Sequence, residues 1–277
     1  MYRLIGDSCT DVTDEIFKNT DLNLVPLTIQ IDDEIIIDDK NLDTKQLLEK
    51  MANCLNAPTT ACPAPEAYMN LYGGEEDVYV VTLSAKLSGS YNSASVAKHM
   101  YLEENPKKNI AIIDSKSASV GQTLIILKIK QLIEQGLSFE EVVEGAEKFR
   151  DEMQTKFVLE SLENLRKNGR LSNMKALIVN ALNIKPIMRS TGEGEIEKMD
   201  QARGVKRAID RLIESVEKDV QHPENRILGI THCNNPERAQ YIKEELMKRV
   251  PFKEVVVVSA AGISTVYASD GGVIVCY

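Results

Sequence analysis

The chain has 277 residues with 33 Lys and Arg against 42 Asp and Glu, a net charge of −9. That length and mixed composition describe a globular protein of one large or two ordinary domains. The acidic balance argues against nucleic acid or an anionic membrane surface as the main partner, and no apolar run is long enough for a spanning helix.

In chain order, Tyr2–Ile5 reads as a strand, which leaves no signal-peptide pattern at the start. It runs into a polar loop, Asp7 to Asp11, and a short helix near Thr13–Lys18 capped by Asp11 or Thr13. Two apolar runs, Leu24–Ile31 and Glu34–Ile37, flank Asp32-Asp33 as a hairpin would. Asp43 is placed to cap a helix over Thr44–Asn53. Prolines 58, 63 and 65 hold the next stretch in an extended loop that presents Thr59 and Thr60, and Pro65 opens a helix to about Leu71.

Val78–Leu83 is a β-branched strand that hands over to a helix through Ser84-Ala-Lys-Leu-Ser-Gly-Ser-Tyr-Asn-Ser93. A serine cluster at a helix start can cap the helix, or it can cradle an anion with hydroxyls and backbone N–H groups. Lys108–Asp114 is another buried strand ending in a small polar loop. A long helix follows to about Glu134, and a Ser138/Glu141 capping box opens the next. Alternating strands and helices imply a parallel α/β sheet, with the loops at Asp7, Ser84 and Asp114 on one edge. No phosphate-loop pattern is present.

Beyond about residue 155 the pattern changes. Lys156–Lys167 reads as a strand end and a helix, and a new helix runs from Ser172 to about Leu182. Ile184–Arg189 and Glu195–Met199 form a hairpin, Gly204–Val220 a helix, and Arg226–Thr231 a strand. Asn235-Pro236 opens a helix to about Arg249, and Val255–Ser259, Ile263–Ala268 and Val273–Tyr277 complete a mixed sheet as strands. The reading is thus α/β in two domains: 1–155 with a parallel sheet, 156–277 with a mixed sheet, and a ligand between them. The five cysteines never adopt CxxC spacing and the three histidines lack metal-site spacing. Neither a metal nor a cofactor is expected, and a reducing cytoplasm fits.

In order and spacing, Asp7-Ser8 with Asp11, Pro58-Thr59-Thr60, Leu87-Ser88-Gly89-Ser90-Tyr91, Asp114-Ser115, Ser119-Val-Gly121, Gly169-Arg170, Ile184-Lys185-Pro186-Ile187 and Arg203 resemble the DegV family of bacterial fatty-acid-binding proteins. The resemblance implies a carrier and not an enzyme: one long-chain fatty acid, with its acyl chain buried and its carboxylate near the domain interface. It assigns the head group to hydroxyls of Thr59, Thr60 and Ser88, with the Gly89 and Ser90 amides nearby. It also implies delivery to a separate ATP-dependent fatty acid kinase in phospholipid metabolism, without stable membrane insertion. Tyr267 falls where the family carries a histidine, Asp270 follows closely, and Ala61-Cys62 replaces a serine and a polar residue. A phenol can donate a hydrogen bond to a carboxylate but cannot become a cation.

Two other readings compete. A serine hydrolase would use Ser88 or Ser84 with His232 as base, although neither serine sits in a GxSxG elbow. A DegV-like protein for another ligand would exploit Tyr267 and Asp270. Arg203 is a candidate contact for a partner, whereas Arg170 is expected in a surface ion pair.

Overall fold

The computed structural model describes residues 1–171 and 183–277. The helix expected from Ser172 to about Leu182 lies outside the described residues. The first half runs β1 (Tyr2–Asp7), α1 (Asp14–Thr20), β2 (Leu22–Val25), β3 (Thr28–Ile31), β4 (Glu34–Ile37), α2 (Thr44–Asn53), β5 (Thr59–Ala61), α3 (Pro65–Met69), β6 (Asp77–Thr82), α4 (Ser90–Glu104), β7 (Ile110–Asp114), α5 (Val120–Glu134) and α6 (Phe139–Glu152). The caps act as their residue types dictate. Thr13 and Asp43 accept first-turn N–H groups, and Ser138 and Glu141 satisfy each other's backbone reciprocally.

The strands β2-β1-β6-β7 form a parallel sheet in that order. The loops after β1, β6 and β7 therefore leave the same edge, as the alternating pattern predicts. The apolar run Leu24–Ile31 is not one strand. Pro26 divides it, so that β2 pairs with β1 in the parallel sheet and β3 joins a second sheet ordered β4-β3-β5. A proline has no N–H for a ladder, which makes it a natural point of departure from a sheet. The Pro-Thr-Thr segment, expected as a free extended loop, is an edge strand of this small sheet, with Thr60 opposite Ile29.

The second half runs β8 (Thr155–Val158), α7 (Glu163–Lys167), β9 (Ile184–Ser190), β10 (Ile196–Arg203), α8 (Val205–Asp219), β11 (Ile227–His232), α9 (Pro236–Arg249), β12 (Glu254–Ser259), α10 (Gly262–Ala268) and β13 (Val273–Cys276). Its six-stranded mixed sheet has the order β10-β9-β8-β13-β11-β12, parallel only between β11 and β12.

Helix α5 joins the halves. Leu124, Ile125, Ile126 and Ile129 are buried, and the cluster around them takes Leu4, Tyr79 and Val81 from one sheet and Val256, Val258 and Cys276 from the other. A helix apolar on most of its circumference is stable only with packing partners on more than one side.

One expected strand is corrected. Ile263–Ala268 is helical, as α10. Its β-branched residues read as a strand, but Ile263, Val266 and Tyr267 fall at helical spacing and pack together on one core cluster with Leu27 and Ile29. The residue before this helix, Ala261, makes no side-chain cap. Instead two distant carboxylates hold its first N–H groups: Asp11 accepts from Ala261 at 2.7 Å, and Asp38 from Gly262 at 2.9 Å and Ile263 at 3.1 Å. Gly262 is required there, because a Cβ would stand 2.3 Å from both Asp38 Oδ1 and Leu42 Cδ2.

Candidate ligand-binding site

A cavity lies between the two halves, lined from the first by Leu27, Thr60, Leu83, Leu87, Ser88 and Ala118, and from the second by Phe157, Leu159, Arg170, Ile263, Tyr267 and Ile274. It offers about 90 Å³ to the centres of water-sized spheres. One water needs roughly 10–15 Å³ on that measure, so the space suits a slender chain of several atoms. Its wall is almost wholly apolar.

Hydroxyls do occur along the wall, but most are engaged within the protein. Ser117 and Thr155 bond each other at 2.7 Å, Ser190 donates to the Lys116 carbonyl at 2.7 Å, and the Ser119 hydroxyl is hydrogen-bonded to both Asp11 and the Thr231 hydroxyl. A buried hydroxyl already paired in this way presents little polarity to a ligand.

Polar groups converge at one place. Strand β5 turns Thr60 inward, and its Oγ1 lies 2.7 Å from the Tyr267 hydroxyl of α10. The Arg170 guanidinium lies 5.7 Å from the centre of the Tyr267 ring and donates through Nε to the Leu87 carbonyl at 3.1 Å. Ser88 follows Leu87 and lines the same wall. Asn168 ties this corner to the Pro-Thr-Thr strand by donating to the Pro58 carbonyl at 2.9 Å. Thr60, Tyr267 and Arg170 thus meet on the wall of an apolar cavity that Ser88 also lines, a donor set that suits a carboxylate.

The structure sorts the sequence candidates. Thr60, Ser88 and Tyr267 all line the cavity, and Thr60 and Tyr267 touch. Thr59 is exposed, because neighbouring residues of a strand face opposite sides. Gly89 precedes the first turn of α4, and a Cβ there would meet Cys62 Sγ at 2.8 Å. The Ser90 side chain is fully buried, away from the cavity lining. Arg203 is exposed at the end of β10.

Asp270 is also exposed and accepts from Asn234 at 3.0 Å, so it does not place a negative charge on the cavity wall. Arg170 corrects the expectation of a surface ion pair: it is a wall residue of the cavity, bonded to backbone carbonyls. The only hint in the sequence was its place after Gly169. The hydrolase candidates separate. Ser84 donates to the Gly194 carbonyl at 2.7 Å, and His232 lies 3.5 Å from Ser259 and accepts from the Asn235 N–H.

Behind the cavity lies a buried acidic layer that sequence reasoning missed in part. Burial pushes Asp7 up to about 6, Asp11 up to about 7 and Asp38 up to about 6, against hydrogen bonds that favour their charged forms. Asp7 accepts from the Leu83 N–H at 2.8 Å and from Gln122 at 2.9 Å, joining β1, β6 and α5. Asp38 gave no local signal, since its partners Gly262 and Ile263 lie more than two hundred positions away. Among the described residues, no group of three or more His, Cys, Asp and Glu is placed to hold a metal, and no helix is long and apolar enough to cross a membrane.

Comparison with known proteins agrees with this architecture over its whole length. The DegV family model, described as an uncharacterised protein family, matches residues 1–277. A DegV domain-containing protein of Streptococcus pyogenes serotype M18 is 37% identical over 281 residues, covering 100% of this chain and 99% of the relative. A crystal structure of a DegV family protein from Ruminococcus gnavus, described with vaccenic acid, has 47% identity and a TM-score of 0.97, covering 100% of this chain and 99% of its own. The Fatty Acid Kinase (Fak) B3 protein of Streptococcus pneumoniae, loaded with linoleic acid, has 34% identity and a TM-score of 0.91, again covering 100% and 99%. With this three-sheet α/β fold and a family match from end to end, this chain belongs to the DegV family.

Proposed function

We propose that the protein binds one long-chain fatty acid in this cavity and serves as a carrier without catalysing a reaction itself. The observation that carries the reading is the contrast within one cavity: an apolar wall with its hydroxyls turned to protein partners, and a corner where Thr60, Ser88, Tyr267 and Arg170 converge. The fatty acids named for the R. gnavus and S. pneumoniae relatives support it. In this reading the carboxylate takes hydrogen bonds from the Thr60, Ser88 and Tyr267 hydroxyls, with the Gly89 and Ser90 amides behind them. Arg170 supplies the positive charge that the Tyr267 phenol lacks. Each buried methylene contributes about 0.8 kcal/mol, so the chain supplies most of the affinity and the head group orients it.

Residues 1–155 contribute the Thr and Ser loops, and residues 156–277 close the cavity over the chain. The carboxyl end, near the mouth, is then offered to a separate ATP-dependent fatty acid kinase, with the exposed Arg203 as a contact. The test is native mass spectrometry of protein purified without detergent, followed by denaturation and lipid identification. One fatty acid per chain is expected. Delipidated protein with no affinity for any long-chain acid sinks the proposal. Covalent labelling by a serine-directed phosphonate, lost in Ser88→Ala, would favour a hydrolase instead.

A further inference from the structure

The small sheet β4-β3-β5 touches helix α10 twice, and both contacts follow from strand alternation. Ile29, Ile31 and Ile36 face the core, whereas Ile35 and Ile37 stand 70% and 56% exposed. Asp38 comes two residues after Ile36 and so shares its inward face. Its N–H continues the pairing with β3 by donating to the Leu27 carbonyl at 3.0 Å. A carboxylate is thereby carried into an apolar core, where it needs hydrogen bonds to both oxygens. Oδ1 accepts from the Gly262 N–H and Oδ2 from the Ile263 N–H, the first turn of α10. On the other side of β3, Thr60 faces inward opposite Ile29 and meets the Tyr267 hydroxyl in the last turn of α10.

Helix α10 depends on such anchors. It has seven residues, too few to hold a helix unaided. Ala261 provides no side-chain cap, so the free N–H groups of the first turn rely on Asp38 and Asp11. Of these two, Asp38 makes two of the three bonds and belongs to the sheet that carries Thr60. The missing Cβ of Gly262 is what lets the carboxylate come so close. At the other end, Asn164 of α7 donates to the Val266 carbonyl at 2.7 Å, which ties the last turn to the second half. Tyr267 lies five residues beyond Gly262, about 7.5 Å along the axis, and one residue of slip would swing its side chain by roughly 100°. A change at the first turn is therefore passed to the phenol.

On the fatty-acid reading given above, we propose that Asp38 is a positioning residue for the head group: by fastening the first turn of α10 to the small sheet, it sets the Tyr267 hydroxyl against Thr60 and aims the pair at the ligand carboxylate. Asp38 itself touches no ligand, because both its oxygens are taken by α10 and it is absent from the cavity wall.

The experiment is a double-variant cycle, read by calorimetric titration of the delipidated full chain with oleate delivered from cyclodextrin. Wild type, Asp38→Ala, Tyr267→Phe and the double variant are compared, and thermal unfolding of each shows that it is folded at the titration temperature. Asp38→Ala is expected to weaken oleate binding about fivefold, as Tyr267→Phe does, and the double variant is expected to bind no more weakly than Tyr267→Phe alone. A carboxylate that served only the stability of the fold would lower the unfolding temperature and add its loss of affinity in either background. Additive losses, or an Asp38→Ala affinity equal to that of wild type, overturn the positioning role and leave the fatty-acid reading standing. Myristate and palmitate sharpen the cycle. An equal loss with both places the effect at the head group, and a loss that grows with chain length places it on the wall and overturns the proposal. If Asp38→Ala does not fold, Asp38→Asn takes its place in the same cycle. It keeps one acceptor oxygen for the two N–H groups, and a loss of about twofold, absent in the Tyr267→Phe background, is expected. A wild type that binds no oleate overturns both readings.

Discussion

The apolar cavity wall and the buried acidic layer behind it are made from neighbouring residues but follow different rules. The wall, with Leu27, Leu83, Phe157 and Ile274, does non-directional work, and its contribution scales with the area it removes from water. The acidic layer of Asp7, Asp11 and Asp38 does directional work. It places α5 and α10, and through α10 it places Tyr267 against Thr60. Burying three carboxyl groups costs stability once they ionise, so this layer trades stability for position. On the proposed fatty-acid reading, affinity then belongs chiefly to the wall, and orientation of the ligand to what the acidic layer holds in place.

The largest test of that contrast concerns stability. Asp11 is held at about 7 against an ordinary value of 3.8, so its folded form binds the proton more tightly than its unfolded form. Its stabilising contribution is complete below about pH 4 and is lost as pH rises toward 7, an effect of roughly 4 kcal/mol. Asp7 and Asp38 act in the same direction over a narrower window ending near pH 6. Asp151, held at about 2 by Arg150, acts oppositely and below that range. Urea unfolding of the wild type and Asp11→Asn at pH 4.5, 5.5 and 7 measures it. The variant is expected to lose less stability with rising pH, and parallel pH profiles refute the assignment.

A wall substitution should act the other way, on binding with little change of pH dependence. Ala118→Phe projects a ring into the cavity and excludes roughly four methylenes, which weakens long-chain binding by about 3 kcal/mol, or some two hundredfold. A shorter acid should then bind the variant relatively better, and uniform weakening across chain lengths would count against an acyl tunnel.

Head-group changes should be smaller and selective. Arg170→Ala is expected to weaken fatty acid binding by about 2 kcal/mol while sparing the matching fatty alcohol, since only the charge-assisted bond depends on the carboxylate. Equal losses for acid and alcohol would mean that Arg170 acts only through its packing on Tyr267. Tyr267→Phe removes one neutral hydroxyl and leaves the ring beneath Arg170, so a loss of about 1 kcal/mol is expected in direct binding titrations. An unchanged affinity would remove that hydroxyl from the head-group set.

How far the sequence leads depends on how local the relevant partners are. The capping box of Ser138 and Glu141, the Thr13 and Asp43 caps and the Asn235-Pro236 helix start each join residues within three positions, and all are present as read. Strand alternation with helices likewise foretold a parallel sheet with its polar loops on one edge. The family motifs marked Thr60 and Ser88, and both line the cavity.

Helix α10 needed the tertiary structure. Its first-turn N–H groups find acceptors 224, 225 and 250 positions away, so β-branched composition alone pointed to a strand. Sequence also could not separate Thr59 from Thr60, because the pairing of β5 with β3 decides which one faces the cavity. Nor could it distinguish Arg170 from a surface cation, or Asp270 from a wall residue, since both answers depend on the side chain's distant neighbours. Composition, period and caps determined the elements by short-range sterics and hydrogen bonding. Only tertiary structure decided which polar groups are buried, because burial and long-range pairing belong to the assembled chain.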